Sequence, residues 1–335
     1  MKWIISHQSA LEFWRRAQAE DALAGKRPLV MKPQVRPLDA KELHTENFWG
    51  LETPLHVLVG SGNARKASRK LHCHVSTGKF PEMSFIRMDS GLTISSPELC
   101  FLQMAGELPL VGLVVLGYEF CGSYRLDKER AEGKGFREDQ PLTSVNRLSS
   151  YIERAAGSKG CKNAKRALRY IVDGSASPME TILSVILVLP YKFGGFGFPK
   201  PLLNHRIESS DSDRRSNGKS GKALYRCDLY WPDEKVDVEY DSDAHHTGSD
   251  RIAQDAIRRN TLSSMGIIVV TVSRKQVIEA AKMRALSDVL AKLLGKRLKY
   301  PPEEYAYRYG ELLRRLFPKL PMREQEGEYS IPATG

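Results

Sequence analysis

Short apolar stretches alternating with polar punctuation mark the first half of the chain. LHVLVG (55–60), HCHV (72–75) and FIRM (85–88) read as strands. The longer apolar run LVGLVVLGY (110–118) is expected to be a buried strand. Ser96-Pro97-Glu98 opens a helix, with serine as N-cap, proline at the first helical position and an early acid. Two basic amphipathic helices are expected over SVNRLSSYIERAA and KNAKRALRYIVD. Before them, DKERAEGKGFREDQP (127–141) carries charge and glycine but almost no large apolar side chain, and reads as an exposed boundary loop.

The second half is patterned more sharply. Ser177-Pro178-Met179-Glu180 is a capping box, continued by ILSVILVL as a mostly buried helix. LLNHRI (202–207) is a candidate strand and SSDSDRRSNGKSGK (209–222) a polar, flexible loop. ALYRCDLYW and KVDVEYD form two further strands joined by Pro232-Asp233-Glu234. A helix is expected from about Asp250, with Ser249 as N-cap and Gly266 as its stop. IIVVTV (267–272) is apolar and β-branched, as a strand covered on both faces should be. Ser273-Arg274-Lys275-Gln276 is a second capping box, starting a helix that runs through Leu294 and closes at Gly295. The expected order is helix, three strands, helix, strand, helix.

An antiparallel turn at Asp233-Glu234 sets Asp228 opposite Glu239, Arg226 opposite Asp241 and Tyr230 opposite Asp237. The period of two then divides the side chains. Cys227, Leu229, Trp231, Val236, Val238 and Tyr240 make a core face; Arg226, Asp228, Tyr230, Asp237, Glu239 and Asp241 make a polar one. A slip of one residue would bury the acids, so the pattern supports this register.

Composition narrows the classes. The 335 residues suffice for roughly two domains. No apolar run nears the roughly 18 residues of a spanning helix, and the first segment lacks a signal-peptide core, so a cytoplasmic protein without membrane association is expected. Five scattered cysteines with no C-x-x-C pair imply reduced thiols rather than a zinc ribbon or disulfide frame. A net charge of +11 suggests a polyanionic partner. His72 and His74 share a strand face, with no third ligand visible in the sequence.

The acidic face carries the candidate chemistry. Asp237 is explained by a solvated sheet face, but Asp228 directly opposite Glu239 is a destabilising pair that Arg226 alone does not offset. A hard dication, Mg²⁺ or Mn²⁺, held by Asp228, Glu239 and Asp241 would make the arrangement tolerable. The alternative is a decorated surface. Without metal, repulsion among Asp228, Glu239 and Asp241 is expected to raise the pKa of at least one of these three.

The ordered motifs resemble the PD-(D/E)XK nucleases, and within them the Vsr-like (very-short-patch-repair-like) endonuclease domains. The resemblance rests on Ser177 and Glu180, Arg226 and Asp228, Glu239, Asp241 and His245, Asp255, Arg258 and Leu262, then Gly266. It covers about 176–294 and implies an α/β fold with a restriction-endonuclease-like, three-layer α/β/α core. It also implies metal-dependent phosphodiester hydrolysis in DNA. Asp241 replaces the water-orienting lysine of many members, and the resemblance gives the proton-transfer role to His245, with His246 read as a loop residue. Glu180 is either an outer ligand or simply the capping-box acid. The first half is distantly similar to abortive-infection antitoxin-type proteins.

The resulting layout is a mixed α/β region over 1–125, a linker with basic helices over 126–175, the endonuclease-like domain over 176–296 and a basic helix and tail over 297–335. DNA is the expected partner. Arg214, Arg215, Lys219, Lys222, Arg226 and Arg258 are the candidate phosphate contacts. In the helix RYGELLRRLFPKL, Tyr309, Leu312, Leu313 and Leu316 are alternatively core-packing residues. The competing function is a non-catalytic nucleic-acid-binding or regulatory component of an antitoxin or defence-type system.

Overall fold

The computed structural model describes residues 4–23, 28–29, 33, 50–65, 68–88, 92–127, 135–208, 224–241, 249–298 and 302–317. His245, His246, Arg214, Arg215, Lys219 and Lys222 lie outside them, as do the side chains of 249–255, including Asp255. The chain is mixed α/β and forms two compact units, Met1–Thr181 and Ile182–Gly335. Among the described residues no helix is long and apolar enough to cross a membrane.

The first unit contains a six-stranded mixed sheet. Its strands are β1 (Ile4–Ile5), β2 (Pro28–Leu29), β3 (Leu55–Val59), β4 (Leu71–Val75), β5 (Phe85–Arg87) and β6 (Thr93–Ser95), in the order β2-β5-β6-β1-β3-β4. The three strands read from the sequence correspond to β3, β4 and β5. Helices α1 (His7–Arg16) and α2 (Ala19–Leu23) follow β1 in sequence, and α1 packs on the sheet. Ser96 caps α3 (Pro97–Ala105) by accepting the Leu99 N–H at 3.3 Å.

The apolar run after Pro109 is a helix, α4 (Leu110–Cys121), not a strand. Its apolar residues continue through Phe120 and Cys121 without alternation, a length that suits three helical turns better than one strand. Gly117 lets it pack closely, because a Cβ there would meet Ile171 Cδ1 at 2.2 Å. The charged stretch from Asp127 is not an exposed boundary in its described part. Strands β7 (Tyr124–Leu126) and β8 (Phe136–Glu138) pair as a hairpin. Arg137 of β8 donates to the Ala17 carbonyl at 2.7 Å, and Asp139 accepts the Ala19 N–H at 3.1 Å. Helices α5 (Val145–Arg154) and α6 (Cys161–Leu168) pack with α3, and α6 also with α4.

Helix α7 (Pro178–Val188) begins in the first unit and ends in the second. At its C-terminal end the carbonyls of Ile186, Leu187 and Leu189 accept the N–H groups of Phe196, Phe198 and Gly197. The second unit then has β9 (Leu202–Glu208), β10 (Leu224–Trp231), β11 (Val236–Asp241), α8 (Ser249–Ser264) and β12 (Ile268–Ser273). After them come α9 (Arg274–Ile278), α10 (Ala280–Leu293) and α11 (Pro302–Leu316). This is the order expected from the sequence. The sheet runs β12-β11-β10-β9, antiparallel except where β12 pairs parallel to β11.

Two expectations change here. Strand β12 lies at a sheet edge and is not covered on both faces; Ile268 is 46% exposed while Val272 is buried. The predicted single helix from Ser273 divides at Glu279 into α9 and α10, although its capping box forms as read. In α11, Tyr309, Leu312, Leu313 and Leu316 are buried, so that face is core. All five cysteines are free thiols.

Candidate active site

The β10–β11 hairpin takes the register read from the sequence, with Leu229 opposite Val238, Tyr230 opposite Asp237 and Trp231 opposite Val236. Leu229, Val236 and Val238 are fully buried, and the Trp231 indole N–H donates to the Pro199 carbonyl at 3.0 Å. Toward the open end the ladder stops, so the expected pairs of Asp228 with Glu239 and Arg226 with Asp241 do not form. Instead Asp228 Oδ2 accepts the Tyr240 backbone N–H at 3.0 Å. A carboxylate thus takes the place of a backbone acceptor where the strands part.

The polar face is also not open to water as expected. A parallel β11–β12 pair needs a crossover connection, and α8 supplies it by packing against the sheet. Leu262 of α8 joins Cys227, Tyr230 and Ile267 in one buried cluster. Cys227 therefore groups with Tyr230 rather than with the Leu229 face assigned to it from alternation.

Asp237 is the residue most affected. It is fully buried; the Glu239 carboxyl and the Cys227 thiol lie against its carboxyl group, and among the described residues no backbone N–H or cation bonds to either oxygen. Burial, followed by the charge of neighbouring Glu239, pushes its pKa from 3.8 up to about 8. The raised carboxylate is Asp237, which the sequence assigns to solvent, and it lies outside the set Asp228, Glu239 and Asp241 in which the rise is expected. The Cys227 thiol is likewise pushed up, by burial first and then by Asp237.

Glu239 is held by α8. Arg258 Nη1 donates to Glu239 Oε2 at 2.8 Å, and its Nη2 lies 2.5 Å from Oε1. The same guanidinium donates to the Arg226 carbonyl. Arg258, a candidate phosphate contact in the sequence, is in the fold the counter-ion of Glu239. Arg226 itself is exposed, and Asp241 is half-buried beside Ser273 of β12.

The fold therefore gathers Asp228, Asp237 and Glu239 around Arg258, with Asp241 at the end of the same strand. Glu180 belongs to the first unit. Its N–H donates to Ser177 Oγ at 3.2 Å and its carboxylate accepts the Ala176 N–H at 2.9 Å, which is the capping role read from the sequence.

The donors are hard oxygens, the kind that Mg²⁺ and Mn²⁺ take. Two of them already have partners: Asp228 the Tyr240 N–H and Glu239 the guanidinium. Among the described residues, the side chains whose ligating atoms lie within 4.8 Å of one another are His7, His74 and Glu107, not these acids. A dication here would thus take the positive charge's role from Arg258. No protein family, curated protein or solved structure matches the chain.

Proposed function

We propose that the second unit is a divalent-metal-dependent endonuclease acting on DNA, of the PD-(D/E)XK kind and Vsr-like. The observation that supports this reading most is Asp237: a buried carboxyl against the carboxyl of Glu239 and near Asp228, with no cation or backbone donor of its own among the described residues. That concentration of acid exceeds what a structural ion pair with Arg258 requires, and strongly perturbed carboxyls cluster at functional sites. In this proposal Asp228 and Glu239 hold the ion and Asp241 orients water or completes the set. Mg²⁺ or Mn²⁺ would supply Lewis acidity and an activated water. His245 carries the proton, while Arg226, Arg214, Arg215, Lys219 and Lys222 contact phosphates. Arg258, released from Glu239, would join them, and Glu180 remains a helix cap.

The second reading, a non-catalytic nucleic-acid-binding or regulatory component, is favoured by one observation. Arg258 already neutralises Glu239, and no lysine stands where Asp241 does. Incubation with plasmid and single-stranded DNA in Mg²⁺, Mn²⁺ or EDTA separates the two. The endonuclease reading expects metal-dependent cleavage that Asp228→Ala abolishes. Binding that weakens steeply with salt, without cleavage in any metal, would establish the second.

A further inference from the structure

The first unit holds a second cluster, drawn from segments far apart in sequence. His7 opens α1, His56 lies on β3, His72 and His74 on β4, and Glu107 follows α3. The parallel β3–β4 register sets His56 beside His72 and Leu58 beside His74. His74 Nε2 lies 2.9 Å from His56 Nδ1, and the His7 and His74 rings stack with centroids 3.5 Å apart. His7 Nε2 is 4.0 Å from Glu107 Oε1, while its Nδ1 is held by Ser6 Oγ at 3.0 Å.

Four imidazoles in contact repel as cations, so the cluster is built for neutral rings. The outward nitrogens of two of them are fixed by second partners: Ser6 for His7 and His56 for His74. Hydrogen bonding at His7 Nδ1 and His74 Nε2 makes His7 Nε2 and His74 Nδ1 the nitrogens each ring offers to an ion, the arrangement that second partners give metal-bound histidines. His7 also holds a left-handed backbone, φ +48°, an uncommon and strained choice for a residue other than glycine. Its N–H is secured by Gln103 Oε1 at 3.0 Å. The ligating atoms of His7, His74 and Glu107 lie within 4.8 Å of one another. Bonds of about 2.1 Å in a tetrahedral site set ligand atoms about 3.4 Å apart, so closing the set takes a rotation of the part-exposed Glu107 and a tilt of the stacked His7 and His74 rings that makes their in-plane lone pairs converge.

We infer that His7, His74 and Glu107 form a binding site for a transition-metal dication of the zinc class, separate from the acidic cluster of the second unit. Two imidazoles and one carboxylate are the donor set such ions take, with a position left for an oxygen ligand. Space for that ligand is present: a cavity of about 440 Å³ is lined by His7, His74 and Glu107 together with Arg65, Lys79 and Lys159. The three cations suit a negatively charged oxygen in that position; they repel the dication itself, which Glu107 and that anionic ligand offset. Alternation along β4 alone shows only His72 and His74; the other two ligands, His7 and Glu107, arrive from α1 and from the turn after α3, which sequence spacing does not reveal.

The test uses the full chain, stripped with a chelator and titrated with Zn²⁺ by calorimetry, with Co²⁺ as a spectroscopic probe of imidazole ligation. One saturable zinc equivalent independent of the acidic cluster is expected, weakened at least about tenfold in Glu107→Gln and lost in His74→Gln. It should persist in an Asp228→Asn, Glu239→Gln double variant. Glu107 is one-third exposed, so its variant keeps the wild-type melting temperature without zinc and decides the matter even if His74→Gln fails to fold. No saturable zinc binding, unchanged binding in Glu107→Gln, or binding lost only in the acidic double variant would overturn the inference.

Discussion

Replacing Asp237 with Asn removes a buried acid whose ionised form the fold does not accommodate. The unfolded chain loses this proton near 3.8, whereas the folded protein keeps it up to about 8. Between those values folding takes up a proton, so stability is full below the lower value and falls as pH rises through the upper one. Each pH unit is worth about 1.4 kcal/mol, and pH 7 lies about three units above the unfolded value, which puts a ceiling of about 4 kcal/mol on the penalty at neutrality. Asn keeps the size and polarity of the protonated acid but has nothing to ionise. Urea denaturation of the full chain from pH 4 to 9, with amide exchange in β10 and β11 to localise the effect, measures the difference. The variant should match the wild type within about 1 kcal/mol at pH 4 and exceed it by about 2–4 kcal/mol at pH 7. A difference that does not change with pH, or a variant less stable at pH 7, would refute the assignment of a protonated acid in this cluster.

Arg258→Ala leaves Glu239 beside Asp228 and Asp237 without a counter-ion. Because the arginine is one-third exposed, a loss of about 1–2 kcal/mol in urea denaturation is expected, smaller at high salt, with partial recovery in Arg258→Lys. Gly195→Ala would place a Cβ 2.1 Å from the Leu189 carbonyl oxygen and 2.7 Å from that of Ile186. These are backbone atoms at the end of α7, so the melting temperature should fall, by the equivalent of about 2–3 kcal/mol. An unchanged melting temperature would mean that the α7 end is not packed as described.

Much of the second unit is legible in the sequence because its signals are local. The Asp233-Glu234 turn and the alternation around it fix which residues of β10 and β11 face each other near the turn, and two capping boxes place helix starts. The alternation fails where tertiary structure intervenes. Asp228 gives its carboxylate to the Tyr240 N–H and ends the ladder, and α8 covers the face on which Asp237 had looked solvated. A signal for that cover existed: a strand, a helix and a further apolar strand in succession imply a crossover helix packed on the sheet. Arg258, three residues from Asp255 on the same helix, was open to a local pairing that distance along the chain favours; its actual partner is nineteen positions away. Apolar runs are ambiguous for a different reason. LVGLVVLGY has no polar positions to report a period, and only its continuation to Cys121 separates helix from strand. The histidine cluster is invisible because its members come from three non-consecutive segments.

The most direct test of the central claim is calorimetric titration of the full chain with Mg²⁺, a hard ion that the imidazole cluster does not select. The account predicts saturable binding in the wild type and its loss in Glu239→Gln, with the variant still folded. Magnesium binding of equal strength in the two proteins, or none in the wild type, would contradict it and leave the Asp228–Asp237–Glu239–Arg258 cluster as a structural ion-pair network.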